Sequence, residues 1–289
     1  MGKVFKALNK VMSDDGQRTA VPAPDHSPPA GIKKLNVAEP EFHANIPAGS
    51  SDEPRDTSAW DEKLVAFSDS SSSITESFRH LRTKILHPPS GRPLRKVLIT
   101  SAIPGEGKSL ICANLGISVA QGLEQHALLV DCDLRRSSLA RLFAVHEQQG
   151  LVNYLLDGVD LGTLINKTGL RKLSLIPSGP KPVNPAELLD SQKVSRMFEE
   201  LSSRYDDRFI FIDTPPLQAA SETLVLAKQV DGIILVVRWG SSGRDQVRQM
   251  VDNLDRDKII GVVFNGFESN VLSTKLSGYE SYGHYGAGY

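Results

Sequence analysis

Short apolar runs alternate with amphipathic stretches along the last two thirds of the chain. The apolar runs predict strands at residues 97–100, 127–131, 173–176, 209–213, 232–237 and 259–264. The amphipathic stretches predict helices at 75–86, 108–121, 192–205, 219–228 and 244–254. Continuous apolar strands separated by helices are typical of a mostly parallel sheet covered on both faces. The pattern therefore predicts an α/β fold, in which ligands bind at the carboxyl ends of the strands.

The N-terminal part of the chain has a different pattern. Residues 1–12 are predicted to form a short basic amphipathic helix, which would either pack on its own domain or contact a membrane surface or partner. Residues 13–62 are rich in proline and polar residues and are predicted to be a disordered linker. The ordered domain is expected at 63–276, followed by a flexible tyrosine-rich tail at 277–289.

Composition narrows the function classes. The 289 residues carry a formal net charge of −1 at pH 7, which argues against nucleic-acid binding driven by phosphate attraction. Cys112 and Cys132 lie in a predicted helix and at the end of a predicted strand, as buried thiols in a reducing compartment would. Since there is no long apolar run and no signal-peptide pattern, we expect a cytoplasmic protein.

A phosphate-binding loop is predicted at residues 101–109, because the segment follows a strand and opens a helix. Its glycines permit backbone amides to surround phosphate oxygens, and the helix N-terminus adds partial positive charge. Lys108 would reach the β and γ phosphates, and the Ser109 hydroxyl would ligate Mg²⁺. The generic pattern starts with glycine, where this chain has Ala102. The residues predicted to bind nucleotide are Pro104, Gly105, Glu106, Gly107, Lys108, Ser109 and Leu110.

Three acids follow apolar strands. Asp213 ends the strand at 209–213, where a carboxylate can hold Mg²⁺ directly or through water. Asp131 and Asp133 come at the end of the strand at 127–131. They would face the same side if the strand is regular and would splay if it has just ended. The predicted metal ligands are Ser109, Asp131 and Asp213.

At these residues the chain resembles the bacterial tyrosine autokinases of capsular and extracellular polysaccharide synthesis. The resemblance runs from residue 63 to the C-terminus. It rests on the loop ending at Ser109, on Asp131-x-Asp133-x-Arg135 and on the motif at 212–215. It implies a P-loop fold, with ATP and Mg²⁺ as the cofactors of a protein-tyrosine kinase. ParA and MinD ATPases carry a signature lysine where this chain has Ile103.

The resemblance also implies roles outside the loop. Glu76, Arg79 and Arg82 match a motif that packs neighbouring subunits into a ring, although spacing three also permits pairing within one helix. Asn265 lies where relatives contact adenine, and it is also a common turn residue. The activator would be a separate membrane protein of the chain-length determinant type, which would place the kinase at the inner face of the membrane.

The tail suggests the substrate. Tyr279, Tyr282, Tyr285 and Tyr289 are four of the six tyrosines and lie within the last eleven residues. We expect them to be phosphoacceptors, alongside tyrosines of other proteins. Lys108, Asp131 and Asp133 are the predicted catalytic residues. Asp131 is assigned as the proton acceptor by hypothesis, with exchange of its role with that of Asp133 left open.

Two other functions remain open at this stage. One is a ParA-like or MinD-like ATPase switch in which the tail tyrosines are incidental. The other is a nucleotide-bound scaffold without catalysis, against which the three intact acids argue.

Overall fold

The computed structural model describes residues 57–68, 72–146, 148–204 and 207–266. The strands are β1 Lys96–Ser101, β2 His126–Asp131, β3 Asn166–Lys167, β4 Leu173–Ile176, β5 Arg208–Asp213, β6 Gly232–Arg238 and β7 Ile259–Asn265. The helices are α1 Val65–Ser68, α2 Ser73–Leu86, α3 Lys108–Ala120, α4 Leu139–Leu142, α5 Leu151–Asp157, α6 Pro185–Leu189, α7 Gln192–Arg204, α8 Glu222–Lys228 and α9 Arg244–Asp252. Short 3-10 turns occupy Thr57–Ala59, Leu161–Leu164 and Arg256–Lys258.

Within the described residues the strands form one seven-stranded sheet in the order β3-β4-β2-β5-β1-β6-β7. Every pairing is parallel except that of β3 with β4. The last residues of β2 and β5, Asp131 and Asp213, are direct register partners, and Ile99 of β1 is paired with Asp213. The carboxyl ends of the three central strands therefore meet at one edge, as the sequence pattern predicted.

Alternate residues of each strand pack into two separate hydrophobic cores, one on each face of the sheet. On one face Val97, Ile99, Leu129, Phe211 and Ile234 pack against α2, α3 and α4. The opposite face has its own core, in which strand residues pack against α5 to α9. Burial on both faces explains why the strands appear in the sequence as continuous apolar runs.

The ordered domain begins earlier than the sequence predicted. Trp60 packs against Phe67 and Phe143 with ring-centroid distances of 5.0 Å each, and the Asp61 N–H donates to the Leu142 carbonyl over 3.0 Å. The predicted linker end at residue 62 is therefore wrong, because aromatic packing fixes residues 57–62 to the domain. The predicted N-terminal helix, the linker at 13–56 and the tail at 277–289 lie outside the described residues.

Asn114 of α3 attaches this early segment to helix α3. Its side chain accepts from the Ala66 N–H over 2.9 Å and donates to the Lys63 carbonyl over 3.1 Å. The side chain is buried, so these bonds replace water for two backbone groups. Asn114 thereby fixes where Lys63 enters the fold. Among the described residues, no helix has the length and apolar character needed to cross a membrane.

We expect Asn114→Ala to lower the free energy of unfolding by about 2 to 3 kcal/mol, because two buried backbone groups lose their partner. Denaturant unfolding measures the change, and limited proteolysis should show faster cleavage near residues 60–66. Asn253→Ala, at the exposed end of α9, is the matched control and should cost less than about 0.5 kcal/mol. Equal effects of the two variants would contradict the role of Asn114.

Candidate active site

The segment after β1 adopts a phosphate-loop conformation. Gly105 and Gly107 have φ of +83° and +92°, a region that glycine adopts without strain. At Gly107 an added Cβ would lie 2.1 Å from Asn265 Nδ2, so only glycine fits there. The helix α3 begins at Lys108, directly after this turn. The loop therefore brings its backbone and the start of α3 to the carboxyl edge of the sheet, as predicted.

The Glu106 side chain fixes the loop to its neighbours. It is fully buried, and its carboxylate accepts from the Arg238 N–H over 3.1 Å, the Ser242 hydroxyl over 2.6 Å and the Ile103 N–H over 3.1 Å. The side chain therefore points into the protein, so the predicted contact of Glu106 with nucleotide would be made by its backbone. Glu106 also positions the loop against the end of β6.

The Asn265 side chain also fixes the position of the loop. Its side-chain amide donates to the Glu106 carbonyl over 2.8 Å, behind the turn at Gly107. Among the described residues, Asn265 is not part of the wall of the cavity over the loop. Its side chain braces the loop, and the adenine contact stays a prediction.

A cavity of about 480 Å³ opens over the loop. The loop and α3 contribute Pro104, Gly105, Gly107, Lys108, Ser109 and Leu110 to its wall. The rest of the wall comes from Asp61, Lys63, Asp133, Arg135, Arg136, Ser138, Arg141, Leu142, Pro215, Pro216 and Ala219. The predicted loop residues other than Glu106 therefore all face one cavity, together with Asp133 and Arg135.

Lys108 and Asp133 form an ion pair across this cavity. Lys108 Nζ lies 2.9 Å from Asp133 Oδ2, with the side chains 12% and 3% exposed. Burial lowers the pKa of Lys108, but the nearby carboxylates of Asp213, Asp133 and Asp131 outweigh it and raise the pKa above its ordinary value. Lys108 is therefore a firmly charged cation at the centre of an acidic group.

Asp131 is committed to its own loop. One carboxylate oxygen accepts from the Ser137 hydroxyl and from the Ser138 and Leu139 N–H groups over 3.1, 3.1 and 3.2 Å. The other accepts from the Asp133 N–H over 3.1 Å. Burial, followed by the charge of Asp213, raises the pKa of Asp131 to about 8. Among the described residues Asp131 is not part of the cavity wall, and its four hydrogen bonds hold the loop that follows β2. Its metal and catalytic roles stay predictions.

Asp213, unlike Asp131, keeps carboxylate oxygens that are not used in hydrogen bonds to its own loop. It is fully buried at the end of β5, and neither carboxylate oxygen has a hydrogen-bond partner within the described part of the chain. Burial raises its pKa to about 6, against the opposing effects of the Lys108 charge and the nearby Ser109 hydroxyl. Two unpartnered buried acceptors beside a serine hydroxyl fit the oxygen preference of Mg²⁺.

The predicted metal ligands Ser109, Asp131 and Asp213 differ in how far their oxygens are already used within the protein. Among the described residues, no group of three or more His, Cys, Asp or Glu side chains is arranged to hold a metal ion. Asp131 uses its oxygens internally, and Asp133 is paired with Lys108. Asp213 keeps both carboxylate oxygens for a cation beside the Ser109 hydroxyl, and two protein ligands are an ordinary number for Mg²⁺ shared with substrate phosphates.

An ion pair that was not predicted from the sequence joins Arg135 to Glu222 of α8. The Arg135 guanidinium donates to Glu222 Oε1 from Nε and Nη2, over 3.1 and 2.9 Å. Glu222 is 2% exposed, and its other oxygen has no hydrogen-bond partner among the residues that the structure describes. No local signal marks Glu222, because it is an ordinary acid in the first turn of a helix. The pair fixes Arg135 in the cavity wall.

The residues predicted to build an interface make contacts within their own chain. Arg79 Nη1 lies 3.0 Å from Glu76 Oε2, which is the intrahelical pairing that spacing three allows. Arg82 donates to the Ser118 carbonyl of α3 over 2.7 Å. Glu76 and Arg79 keep exposed side chains, whereas Arg82 serves packing of α2 on α3. The predicted phosphoacceptors at Tyr279, Tyr282, Tyr285 and Tyr289 lie outside the described residues.

The parallel sheet, the glycine turn that opens α3 and the lysine over it define a P-loop nucleotide-binding protein. No family model matches the sequence. The chain is 32% identical over 231 residues to tyrosine-protein kinase YwqD of Bacillus subtilis, covering 79% of this chain and 93% of that protein. It is 34% identical to tyrosine-protein kinase CpsD of Streptococcus agalactiae, covering 73% and 89%.

Solved structures agree with these relatives. The kinase domain of the Escherichia coli tyrosine kinase Etk matches with a TM-score of 0.66 at 28% identity, covering 78% of this chain and 84% of that one. The chain belongs to the bacterial tyrosine-protein kinases. The resemblance drawn from the motifs is thereby confirmed.

We expect Asp213→Asn to stabilise the nucleotide-free protein at pH 8. The pKa of about 6 lies above the ordinary value of 3.8, so the stability from the bound proton is complete below pH 4 and lost as pH rises through about 6. An amide avoids that loss, and the expected gain is roughly 1 to 3 kcal/mol at pH 8 and close to zero at pH 4.

Thermal unfolding of both proteins between pH 4 and 8 measures this difference. Asp245→Asn, an exposed acid in the first turn of α9, serves as the control and should give no pH-dependent gain. A gain at Asp213 that is constant across this range would rule out a raised pKa.

Proposed function

We propose that this protein is an ATP-dependent protein-tyrosine kinase that phosphorylates tyrosines of its own C-terminal segment, between subunits, and tyrosines of other proteins. The observation that carries this proposal is the Lys108–Asp133 pair, set over a phosphate loop in a chain of this family. A cation for phosphates and a carboxylate for a hydroxyl proton face the same cavity, which phosphoryl transfer to tyrosine requires.

Nucleotide binding uses the loop and Lys108. The loop amides and the start of α3 offer donors and partial positive charge to the phosphates. Lys108 has a flexible four-carbon stem, so its ammonium exchanges Asp133 for the β and γ phosphate oxygens. Ser109 and Asp213 are the residues that would hold Mg²⁺, and the metal neutralises charge on the phosphates when bound. Glu106 and Asn265 keep the loop in place during this exchange.

Asp133 is the better candidate for proton acceptor. It lines the cavity, and among the described residues its Oδ2 is bonded to Lys108 Nζ alone, a contact that is lost when the lysine turns to phosphate. Its Oδ1 stays fixed by the Arg136 N–H over 3.0 Å, so the carboxylate keeps its orientation. Asp131 is buried behind it with four hydrogen bonds. We therefore assign the base to Asp133, the exchange that the sequence left open.

The transfer step moves one phosphoryl group. A bond forms between the tyrosine hydroxyl oxygen and the γ-phosphorus, while the bond from that phosphorus to the β–γ bridging oxygen breaks. The hydroxyl proton passes to Asp133, and the electron pair of the broken bond stays on the released ADP. Because the transition state is loose, positioning and charge neutralisation supply most of the rate.

The setting follows from the family resemblance. Autokinases of this type act in capsular and extracellular polysaccharide synthesis, and we assign the same setting to this chain. A membrane protein of the chain-length determinant type would be the activator, and the kinase would then lie at the inner face of the membrane. The four tail tyrosines support self-phosphorylation, since they are concentrated within eleven residues.

Incubation with Mg-ATP followed by mass spectrometry of the C-terminal peptide tests this function. We expect phosphate on Tyr279, Tyr282, Tyr285 and Tyr289. Lys108→Met should reduce the signal at least a hundredfold, because the variant loses the phosphate cation. ATP hydrolysis without tail phosphorylation would refute the kinase and favour a ParA-like switch.

The same assay separates the two acids. Asp133→Asn should lower tail phosphorylation by two orders of magnitude or more while nucleotide still binds, because the amide cannot accept the proton. Asp131→Asn should act mainly on stability, since its amide group cannot accept all four hydrogen bonds. If Asp133→Asn retains full transfer and Asp131→Asn abolishes it without unfolding, Asp131 is the base.

Ring assembly is the proposed route for phosphorylation between subunits. Arg79 is the suitable site for a test, because its one ion pair among the described residues is with Glu76 on an exposed helix face. Arg79→Glu should give a monomer by light scattering and weaken tail phosphorylation tenfold or more. Lys84→Glu, exposed on the same helix, is the charge-matched control and should keep the oligomer. An intact oligomer in Arg79→Glu would contradict the interface.

A further inference from the structure

The cavity wall carries more positive than negative side chains. Five cationic residues line it, namely Lys63, Lys108, Arg135, Arg136 and Arg141. Two acids line it as well, Asp61 and Asp133. In the proposed function the phosphate loop and Lys108 bind the nucleotide phosphates. The excess positive charge on the wall opposite the loop is then available to a second anionic ligand.

Two of the arginines have no ionic partner among the described residues. Lys108 is paired with Asp133 and Arg135 with Glu222. Arg136 and Arg141 have exposed side chains, for which no ion pair is formed within the described ranges. Free guanidinium groups next to a reaction cavity are suited to bind carboxylates with two parallel hydrogen bonds.

The main chain that carries these arginines is fixed by the site's own acids. The Arg136 N–H donates to Asp133 Oδ1 over 3.0 Å, which links Arg136 to the proposed base. The first turn of α4, which carries Arg141, is held by Asp131 through the Ser138 and Leu139 N–H groups. Both arginines are therefore placed relative to the carboxylate that receives the acceptor hydroxyl.

We propose that Arg136 and Arg141 form an acceptor-docking subsite that selects tyrosines with an acidic neighbouring side chain. This inference rests on the proposed kinase function and names its substrate class, an acidic tyrosine peptide. In the tail, Glu280 directly follows Tyr279, whereas Tyr282, Tyr285 and Tyr289 have no adjacent acidic side chain. Tyr279 is then the preferred first acceptor.

Steady-state kinetics with two peptides tests the subsite on the full chain. Both peptides carry residues 276–284 with Tyr282→Phe, so that Tyr279 is the single acceptor, and one has Glu280→Gln. Two exposed charge contacts contribute about 1 kcal/mol together, so kcat/KM of the wild type should favour the Glu280 peptide about fivefold. Arg136→Gln combined with Arg141→Gln should reduce this preference to less than twofold.

The control is Arg171→Gln, an exposed arginine just before the amino end of β4, opposite the carboxyl edge where the site lies. It should keep the full preference. Binding of a fluorescent ADP analogue should be equal in all three proteins. Should the double variant unfold, each single variant is expected to lose part of the preference, and unchanged discrimination in both would overturn the proposal.

Each remaining outcome has a defined meaning. An equal fall of kcat/KM for both peptides with weaker ADP binding would assign the arginines to the nucleotide and overturn the subsite. Persistence of the preference in the folded double variant would place docking elsewhere. If no peptide is phosphorylated, the kinase function fails, and fluorescence anisotropy still decides the subsite. Tighter binding of the Glu280 peptide to wild type than to the double variant would support it, and equal binding would not.

Discussion

The crowding of three carboxylates around one lysine is the constraint on which the rest of the site depends. Asp131 and Asp213 are register partners at the ends of β2 and β5, so the sheet itself forces them together. Burial then penalises their charges, and Lys108 is the one cation buried among them in the part of the chain described here. A site of this kind gains from binding positive charge, and Mg²⁺ held with a nucleotide supplies it.

The residues around this charge cluster are held in place by hydrogen bonds and an ion pair, so that Lys108 can change partner without moving its surroundings. Glu106 and Asn265 hold the loop from behind, and Glu222 holds Arg135 from the opposite wall. Each of these contacts uses a buried or partly buried polar group, whose loss would leave partners unsatisfied. Preorganised donors stabilise a transition state without reorganisation, which is the main source of rate in phosphoryl transfer.

Local patterns allowed the sheet, the loop and the motif acids to be predicted from the sequence. Periodicity and the strand–loop–helix context are encoded within about fifteen residues, so six of the seven strands and the start of α3 at Lys108 were found. The contacts that complete the site join distant positions: Asn114 to Ala66, Arg135 to Glu222, and Glu106 to Ser242. None has a local signature, because each partner is an ordinary polar residue until the fold brings it near.

The different fates of Asp131 and Asp133 show where spacing stops being informative. Two side chains that are two residues apart in a strand point to the same face of the sheet, but β2 ends at Asp131. Beyond that point the chain turns, so Asp131 receives the N–H groups of the returning loop while Asp133 faces Lys108. The first acid shapes the turn that orients the second. A motif with two aspartates can therefore supply one reactive carboxylate, because the other is consumed in building the geometry that the reaction needs.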